Sequence, residues 1–400
     1  MAATAQHTAC TATLLRYAPR QTVAYLDASP IGPPHSSLVR WSRGSLKWGG
    51  SHTSKKILQP LGGVSHYRVR QAGVKMSSVK EHVKLANGVS IPSVGAGCAF
   101  GDWTNPSASF QGFLPEQAWR STTLALQVGM RHFDGAHAYG TERAVGTVLG
   151  RSFADGTLSR SDVFLTSKLC HPSAPPHVAI SHLRTWNMRD VASVEQRIRD
   201  DFARTLDDLG CGYVDLLLMH WPGAFSETDA AFARSCRLAT WRIFEGFLKV
   251  GTARAIGVSN FTMRHLSELI EDGAAIVPMV NQLELHPYCQ DAALQAFCSA
   301  RSIVLEAYAP FASGAFELLQ DPVIAAIAKK HKKNSGQVIL RWHLQQWRVV
   351  LPKSSNKERM ASNLELFDFE LGDEEMQAIT GLQPEGVAPR RTCPDPATIV

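Results

Sequence analysis

Tyr213-Val214-Asp215-Leu216-Leu217-Leu218-Met219-His220 is an apolar run, broken only by Asp215, that stops at a histidine. It is far shorter than the roughly 18 apolar residues needed to cross a bilayer, and its length suits a buried strand. Comparable runs recur on both sides: 94–97, 130–134, 163–167, 253–259, 277–281, 303–308 and 349–352. Between them lie amphipathic stretches. Arg197, Ile198, Phe202, Leu206 and Leu209 share a face at three- and four-residue spacing, as do Trp241, Phe244, Phe247 and Leu248. Gly251 is placed to stop the second helix, and Asn260 or Thr262 to start the next. Eight strands alternating with helices predict a parallel sheet closed into a (β/α)8 TIM barrel. A doubly wound sheet is the alternative, weakened because no G-x-G-x-x-G follows the first strand. Ahead of that strand, Asn87-Gly88 sits between alternating residues of 84–91, which predicts an N-terminal β-hairpin.

The barrel does not need all 400 residues, since the fold closes in about 250. Residues 1–75 read as a separate segment. They carry ten Lys/Arg against the single acid Asp27, a charge of +9 out of a total of +6, which leaves −3 for the rest. The segment is rich in Ser, Thr and Arg, is interrupted by Pro30 and Pro33-Pro34, and has no apolar period. This composition predicts a disordered N-terminal extension and suits a transit peptide for chloroplast or mitochondrion. A plain tail or an unused upstream start, with Met76 beginning a cytoplasmic protein, are the alternatives. The mildly acidic body gives a nucleic-acid partner no electrostatic support, and no run is long enough to predict a membrane span. The eight cysteines contain no C-x-x-C pair, so their spacing points to reduced thiols in the core and to neither zinc nor a disulfide framework.

In such barrels the active site lies at the carboxyl ends of the strands. Read in order, those ends are Asp134, Lys168, His220, Asn260, Gln282, Tyr308 and Lys353. An isolated aspartate after a strand is most often a helix cap, and a lone histidine a structural residue. Seven polar groups in register on one rim are not what packing requires. A tyrosine near a lysine and an aspartate makes a general acid, because a close ammonium favours the phenolate and lowers a pKa that is ordinarily near 10. A neutral histidine can donate to a substrate carbonyl oxygen.

These residues resemble the aldo-keto reductase family over nearly all of 80–400. Gly129-Met130-Arg131-His132-Phe133-Asp134-Gly135-Ala136-His137-Ala138-Tyr139 is similar to the family's Asp-to-Tyr signature, and Lys168 follows in Leu165-Thr166-Ser167-Lys168-Leu169. Further signatures resemble 215–222, 256–261, 281–288 and 351–356. The resemblance implies that Tyr139 donates a proton to the reduced carbonyl, tuned by Lys168 and Asp134, with His220 orienting the substrate beside Trp221. It implies NADPH as cofactor. Ser259, Asn260 and Gln282 would bind the nicotinamide carboxamide, and Tyr308 would stack on its ring. Lys353, Ser354 and Arg359 would hold the 2′-phosphate and Asn363 the adenine. Two cations suit a group that distinguishes NADP from NAD by its charge.

The sequence departs from the family in three places. Ser362 stands where an adenine-contacting acid or amide is usual. Ala99 or Phe100 replaces a pocket aromatic, with Trp103 as substitute. The span from Lys168 to His220 is long, with the excess in 171–192, read as a surface loop or a lid. The tail Arg390-Arg391-Thr392-Cys393-Pro394-Asp395-Pro396 resembles short family tails, which implies an open pocket for small polar aldehydes, ketones or keto-sugars. A monomer is expected. The competing reading is a cofactor-binding regulatory subunit without turnover.

Overall fold

A computed structural model describes residues 81–100, 114–169, 191–223 and 229–400. The extension 1–75, Trp103, and nearly all of the long segment 171–192 fall outside the described residues. The chain begins there with a hairpin, β1 (His82–Lys84) and β2 (Ser90–Pro92), paired antiparallel. Gly88 turns it at φ +89°, a left-handed value that favours glycine.

Eight parallel strands follow: β3 (Ala96–Gly97), β4 (His132–Asp134), β5 (Phe164–Leu169), β6 (Leu216–Met219), β7 (Ile256–Ser259), β8 (Val280–Glu284), β9 (Val304–Tyr308) and β10 (Val349–Leu351). They form one sheet in sequence order. A parallel bridge between Val94 and Val350 joins its two edges, with Gly95 N donating to Val350 O at 2.8 Å and Val350 N to Ser93 O at 2.9 Å. That closure removes the doubly wound alternative. Helices α1 (Pro115–Gln127), α2 (Glu142–Ala154), α3 (Val191–Leu209), α4 (Ala230–Val250), α5 (Met263–Glu271) and α6 (Ala292–Ser299) each follow one strand in turn. The pair α7 (Pro322–His331) and α8 (Ser335–Leu344) precedes β10, and α9 (Lys357–Ser362) and α10 (Asp373–Thr380) come after it.

The helices bury the predicted faces. Ile198, Phe202, Trp241 and Phe244 pack against strand residues such as Leu165, Leu217 and Val258. Gly251 ends α4 at φ +81°, and Thr262, not Asn260, caps α5 by accepting from His265 N. Leu85 and Ile91 of the hairpin pack with Phe164, Leu216, Leu218, Met279 and Val349. Ile91 is fully buried, worth about 1.5–3 kcal/mol. The hairpin thus plugs one end of the barrel, and the strands' carboxyl ends form the other.

Strand boundaries differ from the sequence reading in several places; the runs at 94–97, 130–134 and 253–259, for example, begin only at Ala96, His132 and Ile256. The strand expected at 277–281 runs Val280–Glu284. Pro278 has no N–H to give a ladder, and Val277 is exposed. Gln282 therefore lies inside β8 and Lys168 inside β5, not just beyond their ends. Cys98, Cys236, Cys289 and Cys298 are buried and in no disulfide. Among the described residues no helix is long and apolar enough to cross a membrane, and no group of three His, Cys, Asp or Glu could hold a metal.

Candidate active site

Asp134 ends β4, and after it a short 3-10 turn, His137–Tyr139, carries the tyrosine. The turn is fixed from behind. Glu142 accepts from Ser167 Oγ at 2.6 Å and Thr205 Oγ1 at 3.0 Å, and His137 Nδ1 lies 3.3 Å from the same threonine oxygen. Lys168 reaches from the next strand. Its Nζ donates to Asp134 Oδ2 at 2.7 Å and to Gly135 O at 2.8 Å, and stands 5.1 Å from the Tyr139 ring centroid. The His220 ring meets Tyr139 edge-on, with centroids 5.6 Å apart. The four groups expected to do the chemistry are thus brought together at one end of the barrel.

Charge at this cluster follows from burial and pairing. Burial alone would lower the Lys168 pKa, but Asp134, with Tyr139 and Glu306 behind it, overrides that and holds the lysine above its ordinary value. Burial, then Lys168, pushes His220 well below the usual histidine range, so its ring is neutral. His220 Nδ1 is buried without a hydrogen-bond partner. Tyr139 corrects the expectation of a lowered phenol. Burial, aided by Asp134, outweighs the lowering by Lys168 and raises it to about 12. The hydroxyl therefore holds its proton at neutral pH.

The remaining predicted residues line the same rim or its margin. Ser259 Oγ donates to Gln282 O at 3.0 Å. Asn260 adopts φ +63°, rare for a residue with a side chain, and its Nδ2 donates to His220 O at 3.0 Å. Tyr308 OH donates to Asn260 Oδ1 at 2.8 Å. Trp221 follows His220, its ring stacked at 6.5 Å between centroids. Past β10, Lys353 and Arg359 are exposed, and neither has an ion pair among the described residues. Ser354 Oγ accepts from Asn356 N at 3.1 Å, and Asn363 is buried at the end of α9. Ser362, the departure near the adenine position, has its hydroxyl engaged by Asn334 Nδ2 at 2.7 Å.

Four groups escaped the sequence reading. Glu306 and His132 stand inside the barrel, Glu306 1% exposed and His132 fully buried, 3.6 Å apart. Both sit within strands, where alternation predicts packing. Glu284 ends β8 and accepts from Thr392 N at 2.6 Å, Thr392 Oγ1 at 2.5 Å and Cys393 N at 3.1 Å. This brings the tail to the site, where Cys393 lies beside Tyr308. The tail basic pair is partly engaged: Arg390 packs on Tyr288 and Phe316, and Arg391 lies 3.6 Å from Asp395.

A family model described as "Aldo/keto reductase family" matches residues 98–384. An aldo-keto reductase of Mycolicibacterium smegmatis is 37% identical over 320 residues, covering 79% of this chain and 97% of the relative. Aldose reductase B of Dictyostelium discoideum is 34% identical over 323 residues, covering 77% and 94%. Among solved structures, the Bombyx mori aldo-keto reductase in complex with NADP is similar at TM-score 0.63 and 28% identity, covering 78% of this chain and 94% of that one.

Proposed function

The chain belongs to the aldo/keto reductase family, and from that premise we propose that it reduces aldehydes or ketones to alcohols with NADPH, Tyr139 supplying the proton. Membership places it among oxidoreductases acting on small-molecule carbonyl compounds. The observation that carries the finer reading is the convergence of Tyr139, the Lys168–Asp134 pair and a neutral His220 at the strands' carboxyl ends.

The donor set suits an anionic dinucleotide. Lys353 and Arg359, exposed and without an ion pair among the described residues, with Ser354 beside them, are for the 2′-phosphate, and Asn363 is for the adenine. Ser259, Asn260 and Gln282 offer amide and hydroxyl groups to the nicotinamide carboxamide, and Tyr308 offers its ring face. When bound, NADPH supplies the hydride. The chain's own groups do the rest. His220, neutral, donates to the carbonyl oxygen and, with Trp221 and Trp103, orients the substrate. Tyr139, protonated at neutral pH, gives its proton to that oxygen. The phenolate left behind faces the Lys168 ammonium, which Asp134 holds charged and in place.

The test is NADPH consumption, with the alcohol identified, across a panel of aldehydes, ketones and keto-sugars, beside NADPH binding by calorimetry. Turnover of at least one class supports the reading. Tight binding with no turnover across the panel would favour the regulatory-subunit reading instead.

A further inference from the structure

Gln282 and Glu306 are register partners on adjacent strands β8 and β9. Both side chains point into the barrel, where Gln282 Nε2 donates to two carboxyl groups at once: Asp134 Oδ1 at 2.9 Å and Glu306 Oε2 at 2.7 Å. An amide nitrogen has two N–H bonds, so both are committed. A single hydrogen bond would leave the terminal torsion of glutamine broad. Two acceptors fix the plane of the amide and also its sense. Reversing it would set Gln282 Oε1 against the Asp134 carboxylate.

The other groups around Glu306 support the same assignment. His132 Nε2 lies 3.6 Å from Glu306 Oε1, but it is also 3.1 Å from Thr166 Oγ1, and burial lowers its pKa to about 4. Glu306 Oε1 has no hydrogen-bond partner. Burial, with the Asp134 charge close by, raises Glu306 to about 8, and Gln282 and Lys168 lower it less. The carboxyl is therefore neutral at pH 7, while Oε2 still accepts. Satisfying Gln282 in this way costs a buried carboxyl beside Asp134, His132 and Thr166, which a packing role does not require.

We propose that Glu306 is a positioning residue: through Gln282 it locks that carboxamide nitrogen-inward and oxygen-outward, so that the site selects a cofactor carboxamide that presents an N–H donor. This rests on the reading of Gln282 as a nicotinamide contact. The purified full chain is titrated calorimetrically with NADP+ and with its 3-acetylpyridine analogue, which replaces the amide NH2 by a methyl group. Wild type should prefer NADP+ by about tenfold, the worth of one well-made hydrogen bond. Glu306→Leu should reduce that preference to about threefold or less, as one acceptor and the fixed plane are lost. Glu306→Gln, which can still offer an oxygen to Gln282 Nε2, should keep the wild-type ratio. Glu306→Met fills the same space should the leucine variant not fold.

A general loosening of the barrel would weaken both ligands together and leave the ratio unmoved. An unchanged ratio in Glu306→Leu or Glu306→Met, or a wild type that binds both dinucleotides equally, overturns the proposal. A wild type that binds neither contradicts the cofactor reading itself.

Discussion

Replacing Lys168 by methionine should destabilise the protein far more than its single ion pair suggests, and a second substitution should restore much of the loss. Lys168 Nζ and Asp134 Oδ2 are 2.7 Å apart, with the lysine fully buried and the aspartate 4% exposed. At an effective dielectric of about 20 their attraction is about 6 kcal/mol, set against the cost of desolvating both. Removing one partner leaves the other buried and uncompensated, at about 3–5 kcal/mol. The lower end is expected for Lys168→Met, because Asp134 keeps its hydrogen bond from Gln282 and can take up a proton. At about 2.1 cal/mol/K of unfolding entropy per residue over a folded region of roughly 320 residues, that is a fall in Tm of roughly 4–8 °C. Asp134→Leu should cost a similar amount. The double variant should lie within about 2 kcal/mol of wild type, since an apolar pair needs no counter-charge. Thermal melts of the four proteins complete the cycle. Single variants melting as wild type, or a double variant showing the plain sum of the two losses, would refute the argument that the pair is held by mutual compensation.

On the proposed 2′-phosphate role, Arg359→Ala should weaken NADPH binding about tenfold or more and leave NADH almost unchanged; equal effects in calorimetry would argue against that role. Stability should fall as pH drops below about 6.5. Burial lowers His132 to about 4 and His265 to about 3, and holds His220 and His343 well below the usual range, so the unfolded chain binds protons there that the folded one does not. Each such histidine contributes about 1.4 kcal/mol per pH unit between its two pKa values, and denaturant midpoints that match at pH 7 and pH 5 would contradict this. Gly146→Ala should destabilise by about 1–3 kcal/mol, because a Cβ there would lie 2.5 Å from Asp208 O and 2.6 Å from Leu209 O; an unchanged melt would show that α2 can shift away from α3.

The rim of the barrel was legible because polar residues interrupt or end apolar runs. Asp134, His220 and Asn260 each close a strand, and a strand's end is where a parallel barrel opens to solvent. The hairpin was legible from Asn87-Gly88, whose turn chemistry is local. What escaped depends on distant contacts. Glu306 alternates correctly for an inward-facing strand residue, and only the register of β8 against β9 sets it beside Gln282. The clamp of Glu284 on Thr392 joins residues 108 apart in sequence, so the tail's place at the site had no local signal. The direction of the Tyr139 shift was misjudged because proximity to Lys168 can be inferred from motif spacing, whereas burial cannot.

In the proposed function Tyr139 is the proton donor of a carbonyl reductase. Its most direct test is kcat/KM for NADPH-dependent reduction of the best carbonyl substrate, in wild type and in Tyr139→Phe. The expected result is a loss of about 10²–10⁴-fold in the variant, with NADPH affinity held within about twofold. Equal turnover by the two proteins would contradict it.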